Sequence, residues 1–70
     1  MKYVIKLCRQ VGKNTFDIIY FNTYNNEPDF NFAVANLVVT FKQIGISDDK
    51  IERSFHEDGD FKIVYIGTRI

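Results

Sequence analysis

Seventy residues with zero formal net charge, 46% apolar and 16% aromatic, make a single domain near the lower size limit for folding without metal or disulfides. Such a composition argues against a disordered chain, and the charge balance removes the simplest electrostatic case for a nucleic acid or a membrane surface as partner. Cys8 is the one cysteine, so no internal disulfide forms and a reducing, cytoplasmic setting is expected; Lys2, Lys6 and Arg9 interrupt any signal-peptide core, and no apolar run has the length of a bilayer-spanning helix.

Residues 2–10 alternate, with Tyr3, Ile5 and Leu7 on one side and Lys2, Val4, Lys6, Cys8 and Gln10 on the other, the pattern of a half-buried strand. Gly12-Lys13-Asn14 supplies turn chemistry, and residues 15–22 are rich in β-branched and aromatic side chains, so a hairpin is expected. Regular alternation in this second strand groups Phe16, Ile18 and Tyr20 against Asp17, Ile19 and Phe21. Residues 22–29 read as a polar loop that exposes Tyr24 among asparagines.

Pro28 belongs near a helix start, where Asn26 or Asp29 can cap free amides. The spacing predicts a helix over 29–44. Phe30, Ala33, Val34, Leu37, Phe41 and Ile44 form its core stripe, and Gly45 suits the residue after its C-terminal end. Its opposite side carries Phe32, Ala35 and Val39, more apolar surface than a single-helix domain can cover.

Ser47-Asp48-Asp49 reads as a turn, and residues 51–56 alternate as a strand, Ile51, Arg53 and Phe55 against Glu52, Ser54 and His56. Asp58-Gly59 is a hairpin signal leading into a fourth strand at 61–66, where Phe61, Ile63 and Tyr65 face away from Lys62, Val64 and Ile66; Gly67 is expected to loosen the last residues of the chain. The sum is one α+β domain over 1–70, ββαββ, with a four-stranded antiparallel or mixed sheet, one helix packed on one face, and the strand order open. With the helix on one side, the other is expected to carry Val4, Cys8, Ile19, Phe21, Val64 and Ile66 beside its charges, a second hint of association.

Converging catalytic groups are scarce. A nucleophile pair requires Cys8 and His56 to meet across the sheet, and one His with one Cys makes no structural zinc site. Glu57-Asp58-Gly59-Asp60 lacks the alternating oxygen ligands of a calcium loop, and the four glycines are isolated rather than grouped around a phosphate. No catalytic residue, metal or small-molecule cofactor is therefore expected.

Binding has the better physical case. Phe32, Ala35 and Val39 form an i, i+3, i+7 ridge, Tyr24 with its asparagines resembles a recognition loop in composition, and Glu57, Asp58 and Asp60 lie in a stretch, 48–60, of net charge −4. These are the expected contacts with a protein partner or with a second copy in a homodimer. The alternative is an RNA or single-stranded nucleic acid on the first hairpin, through Lys2, Lys6, Lys13 and Phe21, within residues 1–16 of net charge +4 and the adjoining second strand. Residues with AT-rich codons (Phe, Tyr, Met, Ile, Asn, Lys) fill 33 positions and those with GC-rich codons (Gly, Ala, Arg, Pro) only 10, a bias shared with small reading frames of phages and other mobile elements. The expected function is a small non-enzymatic modulator that inhibits a host enzyme or defence complex by occupying its surface.

Overall fold

A computed structural model describes residues 1–69. The chain forms β1 (Lys2–Gln10), β2 (Phe16–Tyr24), α1 (Glu27–Gln43), a 3-10 turn (Asp48–Lys50), β3 (Ile51–Asp58) and β4 (Phe61–Thr68). The four strands make one mixed sheet in the order β2-β1-β4-β3, in which the first and last strands lie parallel at the centre and each hairpin contributes one edge. The α+β, ββαββ fold is thereby established, with its strand order. Among the described residues no helix is long and apolar enough to cross a membrane.

Local chemistry accounts for the element ends. The Asn26 side chain caps α1: its Oδ1 accepts the Asp29 N–H at 2.9 Å, and its Nδ2 donates to Asp29 Oδ2 at 2.9 Å. The helix therefore starts at Glu27, two residues before the expected boundary, with Pro28 in its first turn. At the other end Gly45 takes φ 92°, and its N–H donates to Lys42 O at 3.0 Å while the Ile46 N–H donates to Phe41 O at 2.9 Å. These two bonds form a Schellman cap, which only a residue at home at positive φ closes without strain. Gly59, at φ 60°, opens the two-residue β3–β4 turn, as a II′ hairpin requires.

The helix packs on one face of the sheet. Phe30 and Val34 of α1 bury against Ile5 of β1, Val64 and Ile66 of β4 and Ile51 of β3, flanked by half-buried Tyr3, Leu7, Tyr24, Ala33, Leu37, Val38, Phe41 and Ile46. The helix backbone comes nearest to β1 and β2, so the far edge of this inner face is uncovered and Phe55 of β3 stays exposed.

Several expectations change. Leu7 pairs with Tyr20 but Cys8 pairs with Ile18, so Ile19 is an unpaired bulge. The extra residue reverses the alternation: Phe16 and Ile18 share the outer face with Phe21, and Tyr20 turns inward, contrary to simple period-two grouping. In β4, Val64 and Ile66 lie in the core rather than on the opposite face, which instead receives Phe61, Ile63 and Tyr65, because Val64 pairs with inward-facing Ile5. Tyr24 is no exposed loop residue; β2 runs through it, it pairs with Tyr3, and it packs against the core. Ile44 leaves the core stripe, 69% exposed as the C-cap, and Val38 joins the residues packed on the core in its place.

Gly67 does not loosen the chain. It is buried inside β4, where a Cβ would stand 2.6 Å from the Cys8 carbonyl oxygen, so the close approach of β1 and β4 requires glycine there.

Candidate functional site: the helix-free face of the sheet

With α1 on one side, the other side of the sheet has no second layer. Register determines its membership: Phe16, Ile18, Phe21 and Thr23 from β2; Lys2, Val4, Lys6 and Cys8 from β1; Phe61, Ile63 and Tyr65 from β4; Glu52, Ser54, His56 and Asp58 from β3. From β2 across to β3 the surface therefore passes from apolar to polar.

Val4 is buried although it belongs to the uncovered face, at the floor of a groove walled by Ile18, Phe21, Phe61 and Ile63, with Lys6 and Thr23 completing the lining. The walls themselves are open to solvent: Phe21 is 67% exposed, and Phe16, Ile18 and Phe61 about half. Beside this groove the Lys6 ammonium sits 5.3 Å from the centroid of the Tyr65 ring, a cation–π contact that holds the charge over an aromatic face. Beyond Tyr65 a second hollow runs past Cys8, Phe16, Glu52, Ser54 and Gly67.

The polar margin is bonded to itself. His56 Nε2 and Ser54 Oγ share a hydrogen bond of 2.8 Å, the His56 ring meets Tyr65 edge-on at 5.5 Å, and Arg69 pairs with Glu52. Cys8 and His56 do share this face, yet His56 lies in the row of Ile63 and Val4, four residues along β1 from Cys8, roughly 13 Å at strand rise. Desolvation also pushes the Cys8 thiol up from its ordinary pKa, against a smaller lowering by Lys6, which keeps it in the unreactive protonated form. Among the described residues no three His, Cys, Asp or Glu side chains gather as a metal site.

The sequence-expected contact residues divide into separate places. Phe32 and Val39 stand exposed on the back of α1 together with Ala35, a ridge remote from the sheet. Glu57 points to the inner face opposite Lys62, Asp58 to the outer face, and Asp60 lies in the turn, where its carbonyl accepts the Lys2 N–H at 2.7 Å. The acidic turn and the start of β1 are thus neighbours. Of the nucleic-acid set, Lys2, Lys6 and Phe21 share the helix-free face, with Lys6 directly opposite Phe21, while Lys13 lies in the β1–β2 loop.

Sequence reasoning missed Phe16, Ile18, Phe61 and Ile63 as members of the outer face. Both sides of β2 and of β4 are apolar, so alternation alone could not say which side turns outward, and nothing local marks the bulge. Compared with protein-family models, with curated proteins and with solved structures, the chain matches none.

Proposed function

We propose that this chain is a non-enzymatic binding module whose partner is a protein, and that it acts by covering part of that partner's surface. The observation that carries this reading is the groove over Val4, walled by exposed Ile18, Phe21 and Phe61 on a face without a second layer. Exposed aromatics at the wall of a preformed groove are the side chains that dominate interface energetics, and desolvating one contributes about 2 kcal/mol or more. Polar Ser54, His56 and Asp58 along β3 supply a rim, which tunes encounter and salt dependence more than it holds the complex. A lone, unactivated cysteine suits a cytoplasmic setting. The codon bias of the composition fits a mobile-element modulator that inhibits a host enzyme or defence complex by occupancy.

Single-stranded nucleic acid is the second reading, favoured by one arrangement: Lys2, Lys6, Phe21 and Tyr65 on the same sheet face, cations between aromatics on which bases can stack.

One experiment separates the two. A photo-reactive phenylalanine analogue is placed at Phe21 or, separately, at Phe32, and adducts are collected from cell extract. Nuclease-resistant protein adducts from position 21, absent from position 32, are the expected result. Adducts from position 32 alone would move the contact to the back of the helix. Nuclease-sensitive adducts, weakened with a shallower salt dependence when Lys2, Lys6 and Lys13 are changed to Ala, would establish the nucleic-acid reading instead.

A further inference from the structure

The two edges of the sheet are built differently. β3 carries Glu52, Arg53, Glu57 and Asp58 in eight residues, the dense charge by which natural edges repel unwanted strands. β2, nine residues long, carries only Asp17 and has neither lysine nor proline, and Ile18, Ile19, Tyr20 and Phe21 run consecutively in it, each more than half exposed. The bulge at Ile19 bends this edge locally but adds no charge to it. An edge strand with apolar side chains on both faces is a template for another strand, here with the Thr23 N–H already donated to Asn22 Oδ1 at 2.9 Å.

We propose that two copies of this chain join antiparallel through β2, giving one eight-stranded sheet with both helices on the same side. Charge is what makes a second copy the fitting occupant. A two-fold pair centred at Tyr20, with bulged Ile19 left unpaired in both strands, sets Asp17 of each copy opposite Asn22 of the other, and the two carboxylates lie roughly 13 Å apart along the strands. The same operation centred at Phe55 of β3 would set Glu52 against Asp58 on the outer face, like charges directly opposed at both ends of the pair, with Arg53 against Glu57 on the inner face.

Area and layering agree. A strip about 30 Å long, as deep as the 17 Å short dimension of the molecule, buries roughly 1,000 Å2 between two copies, the threshold for a specific interface. Strand spacing places the two helix axes, each over its own β1 and β2, about 10–14 Å apart. Ala33, Asn36 and Thr40, which border the hollow between α1 and Tyr20, are short enough to let those flanks approach. On the opposite face Phe16, Ile18 and Phe21 of both copies become the middle of the surface and the charged β3 strands its two margins. The lopsided polarity of one copy becomes the apolar centre and polar rim of a binding face.

Light scattering on the full chain tests this. The wild type should show twice the 8.2 kDa chain mass. Tyr20→Lys and Tyr20→Glu, at a half-exposed position, should each halve that mass by placing like charges at the two-fold axis, and an equimolar mixture of the two should restore it. Phe55→Lys, exposed on the opposite edge strand β3, should leave the mass doubled. Should the Tyr20 variants misfold, hydrogen exchange on the wild type decides: β2 amides protected at high concentration and exposed on dilution support the pairing, and concentration-independent exchange overturns it. A wild-type mass of one chain, a dimer surviving in both single variants, or folded variants whose mixture stays monomeric would each overturn it as well. Cross-linking at Phe21 reports on the groove occupant whatever the mass, so the two proposals fail separately.

Discussion

Phe30 and Phe32 stand two positions apart in α1 and have opposite surroundings: Phe30 is 0% exposed and stacks against Tyr3 at 5.3 Å, whereas Phe32 is 70% exposed. Phe30→Ala is expected to destabilise the fold by about 3–5 kcal/mol, and Phe32→Ala to stay within about 0.5 kcal/mol, both measured by urea titration. Phe32→Asp should likewise leave the circular dichroism of the fold intact. This contrast was legible in the sequence because a helix wheel separates i from i+2 by about 200°. Gly67 was not legible. Its reason for being glycine is the backbone of Cys8, a neighbour fifty-nine positions away in the chain, and no local pattern announces which strands will lie side by side.

At the scale of elements, the helix is the best-read part of the molecule, because its cap, its proline and its closing glycine are all local chemistry. The strands were located correctly, but β4 and the first half of β2 were turned wrongly. β2 and β4 are apolar on both sides, so their faces depend on pairing with β1, whose own alternation is clean: Val64 turns inward because it lies beside Ile5, and Phe21 outward because it lies beside Lys6. The bulge makes an unusual prediction. Deleting Ile19 removes the unpaired residue and leaves every remaining β2 side chain on its present face, so the loss of stability should resemble an ordinary substitution, about 0.5–3 kcal/mol. Deleting Leu7 from the middle of β1 inverts half of that strand and should unfold the protein; paired thermal melts of the two deletions check this.

For the whole molecule, the neutral total conceals an uneven distribution: apolar at the β2 edge, charged at β3, and a polar turn at Asp58–Asp60 beside the start of β1. The sequence displayed the surplus of apolar surface without displaying its location, because location is a property of strand order, and strand order is set by contacts far apart in the chain. Placing the first and last strands side by side also has a consequence during synthesis. On the ribosome β1 and β2 emerge first, and β1 then waits for β4 while some sixty further residues are added, roughly 3–12 s at ordinary elongation rates. Throughout that interval Ile18–Phe21 is presented without a core behind it, a segment of the composition that chaperones hold. Arrest-peptide fusions of increasing length should therefore register folding force in a single late step, once Thr68 has cleared the exit tunnel, and none after the first hairpin or the helix. The last strand must emerge before any of the fold is secure.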